Sequence, residues 1–398
     1  MRFPPLCALF FIPVFLMAGS GITEAFAEGA VHGQIKFFSY DIDKKSDENA
    51  YANALGGYLK YSTDTNNSFY ASVRFHTSQP VGSNKNKEAT ALFNNDDNGK
   101  ALTANSEAYI GWRGAERVLK LGNLMLNTPM MNDDRTRIVP WSYQGAAYTG
   151  KAITDIEVQL YHISQIRSHT SDDYKKESAS GKIGSGITML GVHYREVVGV
   201  ERLNLMGYYY YASDLYSTFI AQADYKLVLD SENLLCASIQ YFNSGHGGKY
   251  AERENKNGGD DIDLIAIKVG FDSEDLMISL NYSQNFGLSG IVKGYGGLSK
   301  VFTTSMVANG RGNYKPETWM LKTSYDLPYT EWGERELAFT FTNTRVKDNR
   351  GDDFDAYYMH LKQRFNIKTS LYIRYETLDY KNGKSDVDYF RIIASYQF

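Results

Sequence analysis

Basic side chains recur in this 398-residue sequence at positions that alternate with apolar residues. Arg391 and Arg374 each stand between two apolar or aromatic neighbours. A row of guanidinium and ammonium groups offers an anionic solute successive weak sites, so that the solute passes stepwise without being trapped. The predicted channel-lining and solute-binding residues are Arg74, Lys120, Arg137, Lys268, Lys322, His360, Lys362, Arg374 and Arg391.

Two adjacent carboxylates, Asp133 and Asp134, lie in a long segment between predicted strands. Facing a basic row, they would set a transverse field at a constriction. Arg137 follows closely and has two open roles: it braces the segment by pairing with Asp133 or Asp134, or it contacts solute directly. For each charged residue taken singly, the alternative is an ordinary solvated position.

Residues typical of enzymes and metal sites are missing from the sequence. A hydrolase needs a serine activated by histidine and a third group, but the seven histidines are scattered and G-x-S-x-G does not occur. H-x-x-x-H and C-x-x-C are also absent. Segment 94–99 resembles the start of a calcium loop, but Asn105 stands where that loop needs a bidentate Glu. We therefore expect no enzyme activity, cofactor or metal.

The elements that position these charges show a two-residue period. Apolar residues alternate with polar ones over runs of about ten, which end in Asn, Asp, Gly or Ser. Eighteen such runs are counted, to within about two. Their centres lie near Lys36, Tyr58, Ser72, Tyr109, Lys120, Ala147, Gln159, Leu190, Met206, Gln222, Ser238, Ile267, Leu280, Lys322, Phe339, His360, Arg374 and Arg391.

The connections between these runs alternate between short and long. Short ones are predicted at 64–68, 113–116, 198–200, 230–232, 272–275 and 366–368, and long ones at 77–104, 127–142, 165–186, 244–259 and 286–315. Transmembrane barrels sort their loops in this way, whereas a soluble sandwich has no reason to. An eight-residue turn at 327–334 is the main exception. The pattern predicts an all-β fold, a single transmembrane antiparallel barrel.

Composition and the N-terminus agree with an exported membrane protein. Residues 1–27 have the features of a signal peptide with an A-x-A cleavage site, which leaves 28–398 as the barrel and Cys236 as its one cysteine. The 31 Tyr and 21 Phe argue against disorder, and Tyr and Trp at strand ends suit interfacial girdles. The net charge of −4 gives no case for nucleic-acid binding.

The segment LKLGNLMLNTPMMNDDRTRIVPWSYQG at 119–145 resembles the OprD-type substrate-specific porins. In that family, a strand ending in Gly is followed by a Pro-containing linker, an Asn/Asp cluster, Arg, two apolar residues, Pro and an aromatic residue. Arg135, beside the acidic pair, departs from this pattern. Segments 294–327, with Gly294-Tyr295-Gly296-Gly297, and 357–398, where arginines occupy inward positions of the last strands, are similar to the family as well.

The resemblance implies an 18-stranded barrel whose extracellular loops fold inward to form a constriction. The terminal Phe398, preceded by Tyr396 and Ile392 at outward parity, resembles the C-terminal signature of Gram-negative outer-membrane barrels, which implies insertion by their barrel assembly machinery. Contact with membrane lipid and lipopolysaccharide is expected as well, and the family resemblance favours a monomer or loose trimer. The implied function is passive diffusion of ions and small charged solutes, such as carboxylates or amino acids. The alternative is a surface or adhesion barrel whose loops bind a partner.

Overall fold

The computed structural model describes residues 20–178, 181–200, 202–246, 262–287, 294–307, 315–347, 351–381 and 383–398. Of the predicted signal peptide, residues 1–19 lie outside this described part, and Ser20–Ala27 forms helix α1. No helix of the described residues has the length and apolar character needed to span a membrane. The predicted division of the chain at residue 27 stays a prediction.

Eighteen antiparallel strands form one sheet, and a two-residue hairpin, β8 and β9, lies apart from it. The strands are β1 Ala30–Lys44, β2 Ala50–Ser62, β3 Phe69–Pro80, β4 Leu102–Arg113, β5 Arg117–Leu124, β6 Ser142–Ile153, β7 Ile156–Arg167, β8 Glu177–Ser178, β9 Gly181–Lys182, β10 Ile187–Tyr194, β11 Leu203–Ala212, β12 Tyr216–Val228, β13 Leu234–His246, β14 Ile262–Asp272, β15 Leu276–Asn285, β16 Glu317–Thr330, β17 Gly333–Arg345, β18 Phe354–Arg364, β19 Thr369–Tyr380 and β20 Val387–Gln397.

The sheet closes on itself because β20 pairs with β1 over eleven residues, from Gln34↔Gln397 to Lys44↔Val387. Gly33 extends the seam, since it exchanges main-chain hydrogen bonds of 2.9 and 3.0 Å with Phe398. A Cβ atom at Gly33 would lie 2.2 Å from the Phe398 ring, so glycine leaves the space that this terminal ring occupies. Closure leaves no strand edge unpaired, which is the condition for crossing a bilayer with strands.

All eighteen predicted strand centres lie within strands of the barrel, and the predicted fold class is confirmed. The predicted turn at 327–334 is wrong in length. β16 continues to Thr330 and β17 begins at Gly333, with a register shift between Leu327 and Thr330. That irregularity breaks the alternation on which the prediction rested, so the strand ends looked like a loop.

The long connections all lie at one end of the barrel, although 45–49 and 213–215 at that end are short. This end carries nine, numbered L1 to L9, including L2 (81–101), L3 (125–141), L4 (168–186) and L7 (286–316). At the opposite end the longest is 195–202. The short end needs only tight turns, so the material available to fill the lumen comes from the long end.

The outer surface of the barrel is apolar along the middle of the strands. Large side chains that are exposed there include Leu59, Phe75, Leu121, Leu160, Leu190, Ile239, Ile267, Leu280, Leu321, Met359 and Phe390. Soluble monomers rarely expose a continuous apolar band of this kind, because burying it in a nonpolar phase is favourable. The outward faces are therefore built for lipid, and the polar residues of the same strands point into the lumen.

Candidate channel lining and constriction

L3 leaves the end of β5 and folds into the lumen. Inside L3, Thr128 Oγ1 accepts a hydrogen bond from Met131 N (3.1 Å) and donates one to Met131 O (2.8 Å), which closes a tight turn. Met130 and Met131 are fully buried. L3 is thus held by an apolar anchor and carries Asp133 and Asp134 beyond it.

L7 meets L3 inside the lumen. Met131 and Gly296 form a parallel β-bridge, and Tyr295 N donates to Met130 O at 2.9 Å. The side chain of Asn132 donates to Leu298 O (2.6 Å) and accepts from Leu298 N (3.1 Å). We call these contacts between 129–132 and 295–300 the L3–L7 join.

L2 fills the lumen on the side of β1 and β2. Its Leu92 and Phe93 are buried in one apolar cluster with Ile138 and Val139 of L3, and this cluster also contains wall residues of β1, β2 and β4. Three loops therefore leave the wall and pack inside the barrel, as the inward-folded loops of the predicted architecture require.

The two acids of L3 differ in their surroundings. Asp133 pairs with Arg135, whose Nε lies 2.6 Å from Asp133 Oδ2. Asp134 is buried, and its Oδ1 accepts from Thr136 N at 3.2 Å. Arg135, the departure from the family pattern, thus partly neutralises the acid beside it.

Arg137 braces L3 through different partners from those considered in the sequence. Its Nε donates to Thr90 O of L2 at 2.9 Å and its Nη1 to Thr136 O at 3.1 Å, whereas Asp133 pairs with Arg135. Its guanidinium lies 5.1 Å from the centre of the Tyr40 ring. Burial, with the charge of Arg391, lowers the pKa of Arg137 to about 10, which leaves it protonated at neutral pH.

Arg391, Arg374 and His360 face one another in register across β20, β19 and β18. Arg391 is 1% exposed, its Nη2 donates to Tyr40 OH at 2.8 Å, and its guanidinium lies 4.2 Å from that ring centre. Arg374 Nε donates to Tyr358 OH at 3.0 Å and is half-buried. Arg391 and Arg137 therefore contact the same tyrosine.

Glu336 of β17 places a carboxylate beside His360 and Lys362, two of the predicted lining residues. Its Oε1 lies 2.8 Å from His360 Nε2 and its Oε2 lies 3.6 Å from Lys362 Nζ. The other ring nitrogen of His360 bonds to Tyr358 OH at 2.9 Å. The row predicted as basic is thus balanced by a carboxylate at His360 and Lys362, and it is not balanced in this way at Arg374.

Arg74 and Lys120 lie on the wall formed by β3 to β5. Arg74 Nε is 2.7 Å from Glu107 Oε2, and both side chains are largely buried. Lys120 Nζ lies 5.0 Å from the centre of the Tyr109 ring. A cavity of about 250 Å³ here is lined by Glu107, Tyr109, Lys120, Leu126, Tyr161 and others.

Lys268 of β14 and Lys322 of β16 contact L7 and line a larger cavity beside it. Lys268 Nζ lies 5.2 Å from the centre of the Phe302 ring, and Lys322 Nζ donates to Thr304 O at 3.4 Å. The cavity measures about 980 Å³, and its lining also includes Asp133, Asp134, Arg135, Met206, Lys300 and Val301. Cations of the wall and the acids of L3 thus border the same space.

Several residues of the site were missed in the sequence. Glu107 and Glu336 occupy inward positions of their strands and carry the charges that pair with Arg74 and His360. The alternation that selected the lysines and arginines would have selected these two acids as well. Lys300 of L7 gives no such signal, since its position depends on the join; burial lowers its pKa, which Asp133 opposes.

The fold is that of a porin: a closed eighteen-stranded barrel that is apolar outside and charged inside, with long loops packed into its lumen. The chain belongs to the OprD family of outer membrane porins, whose model matches residues 70–398. A comparison with curated protein sequences found no match.

Solved structures of the same fold come from two bacteria. Acinetobacter baumannii OccAB4 is 16% identical, with a TM-score of 0.79, and the match covers 93% of this chain and 98% of that one. Pseudomonas aeruginosa OccK9 (OpdG) is 16% identical, with a TM-score of 0.81 and coverage of 94% and 99%. P. aeruginosa OpdK with vanillate is 17% identical, with a TM-score of 0.77 and coverage of 92% and 98%.

Proposed function

We propose that this chain is a passive channel of the Gram-negative outer membrane, which admits ions and small charged solutes without a chemical step or an energy source. The observation that carries the proposal is the cavity of about 980 Å³ between L3, L7 and the wall, which Lys268 and Lys322 border together with Asp133 and Asp134. A lumen filled only to anchor a surface protein has no need of unneutralised cations around an open space.

Anionic solutes fit this lining better than cationic ones. Lys268 and Lys322 contact an aromatic ring and a main-chain oxygen, so their charges act on the cavity, while Asp133 is paired with Arg135. Apolar side chains of Met206 and Val301 border the same space. We therefore expect carboxylates to be preferred, in agreement with the vanillate bound to the related OpdK.

The test is single-channel recording of the purified protein in a planar lipid bilayer. We expect discrete conductance steps and a reversal potential in a KCl gradient that favours chloride. The double variant Lys268→Met/Lys322→Met lowers the anion preference, because it removes two positive charges that act across a confined aqueous space. The matched control is Lys368→Met, an exposed lysine in the turn between β18 and β19.

Two outcomes would contradict the proposal. A correctly folded barrel that gives no conductance steps indicates a plugged barrel, which is what a surface-binding or adhesive role predicts. Steps whose reversal potential does not change in the double variant leave the channel in place and remove the lysines from its selectivity. We propose a monomer or a loose trimer, as the family resemblance implies, and cross-linking in native membranes distinguishes them.

A further inference from the structure

The four polar groups of Asn132 all bond across or within the constriction. Its side chain bonds to both main-chain groups of Leu298, and its main-chain N donates to Gly296 O at 3.3 Å. Its main-chain O accepts from Tyr143 OH of β6 at 2.9 Å. The residue is 4% exposed, so these bonds are shielded from competition with water.

L7 has its own anchor on the wall, directly next to Asn132. The Tyr295 ring is fully buried and stacks on Tyr210 with a centroid distance of 5.4 Å and an interplanar angle of 22°. Its hydroxyl donates to Tyr216 O at 2.8 Å. The wall therefore fixes one side of the join through Tyr295 and the other through Tyr143.

The join requires an unusually close approach of the two loops. Gly297 has a φ of +77°, and a Cβ atom there would lie 2.3 Å from Asn132 Oδ1 and 2.4 Å from its main-chain O. Only glycine adopts this conformation freely and leaves this space. The Gly296-Gly297 pair therefore allows the L7 main chain to come within hydrogen-bonding distance of the Asn132 amide.

We propose that Asn132 is the positioning residue of the constriction: its amide locks L3 and L7 into one rigid unit, and this unit fixes the opening on the cavity side. The lock acts on Lys300, whose main-chain N donates to Pro129 O at 3.2 Å and whose Nζ donates to Asn127 at 2.5 Å. Loss of the lock frees both Lys300 and the 299–304 segment that borders Lys268 and Lys322.

The test compares Asn132→Ala with Thr128→Val. Thr128 Oγ1 bonds to Met131, and the main-chain O of Thr128, which the valine keeps, accepts from Asn132 Nδ2 at 3.3 Å. This control therefore disturbs the L3 turn and spares the amide pair with Leu298 of L7. In both variants, Lys300→Cys is introduced on a Cys236→Ser background, and the rate of its reaction with a thiol-specific methanethiosulfonate reagent is measured. We expect Asn132→Ala to raise the rate on the order of tenfold, because two hydrogen bonds that close the join are lost. Thr128→Val should change it less than twofold.

Open-channel current noise is the second readout and the only one that depends on the proposed channel function. We expect more noise in Asn132→Ala, and Asn132→Asp should behave alike because it sets a carboxylate oxygen against Leu298 O. Equal labelling rates in the Lys300→Cys/Cys236→Ser parent and in the same protein carrying Asn132→Ala, or an equal increase with Thr128→Val, overturn the proposal. A labelling increase in a barrel that never conducts supports the lock and contradicts the channel instead.

Discussion

Among the described residues of the lumen, several charges form ion pairs, whereas four cations and the acid Asp134 have other contacts. Arg74 with Glu107, His360 with Glu336, and Arg135 with Asp133 are pairs. Lys268, Lys322, Arg374 and Arg391 instead contact rings, a main-chain oxygen or hydroxyl groups. The sign of a residue's charge is therefore a poor guide to its effect on solute, since a charge inside an ion pair adds less to the field in the barrel than one outside a pair.

Arg374 and Arg391 allow a test of this division. We expect Arg374→Gln/Arg391→Met to lower anion over cation selectivity, measured as the reversal potential in a KCl gradient. Nε and Nη1 of Arg391 have no hydrogen-bond partner among the described residues, so the buried charge is imperfectly compensated. Arg391→Met alone should therefore leave the free energy of unfolding unchanged or raise it by up to about 4 kcal/mol, because an apolar side chain removes the cost of a buried charge.

Two results would contradict this prediction. An unchanged reversal potential in the double variant removes the arginines from selectivity. A large loss of stability in Arg391→Met, measured by urea titration in detergent, shows that the guanidinium serves to pack against Tyr40.

At the scale of elements, strands were predictable and loop contacts were not. Alternation is a local property, so eighteen centres could be placed. The register shift in β16 misled the prediction of the turn after it, and the predicted long connections 77–104 and 165–186 were too long because they include strand ends. Arg167, at the end of β7, illustrates what local patterns miss. It is fully buried and donates to Pro140 O of L3 (2.9 Å) and to Ser171 O of L4 (3.0 Å). Contacts between loops distant in sequence, such as the L3–L7 join, leave no periodic trace.

L2 provides a prediction at this scale. Phe93→Ala should release L2 from the apolar cluster, because removing a buried phenylalanine side chain costs about 3–5 kcal/mol. We expect faster cleavage of L2 by proteinase K in the folded, detergent-solubilised protein. The control is Asp97→Ala, an exposed position of the same loop. Cleavage of Phe93→Ala at the wild-type rate would show that L2 is held by its polar contacts alone.

For the whole molecule, a single closed barrel presents an apolar surface to lipid and a polar surface to its lumen. Each of the eighteen barrel strands has two neighbours, so the main-chain groups are paired within the wall, and the side chains divide by parity between lipid and lumen. The lumen is partly filled, because L2, L3 and L7 pack into it around buried apolar clusters. The strands of the wall therefore provide the stability of the barrel, and the loops packed inside it set the width of the opening.

The parity rule predicts opposite outcomes for two nearby positions. Ile239 is 48% exposed on the outer face of β13, whereas Gln222 of β12 lines the cavity. Ile239→Arg should lower the free energy of unfolding in lipid vesicles by about 2–4 kcal/mol, since it places a charge in the hydrocarbon. Gln222→Arg should have a much smaller effect and raise anion selectivity. Equal losses for both variants would contradict a lipid-embedded barrel.

The seam between Gly33 and Phe398 has a topological consequence. Because the last strand lies beside the first, the ring of strands has no privileged starting point. A circularly permuted gene that links the two old ends and opens the chain in the short turn 273–275 encodes the same cyclic order of neighbours. Which hairpin comes first along the chain is then a variable that an experimenter can choose, independently of the final shape.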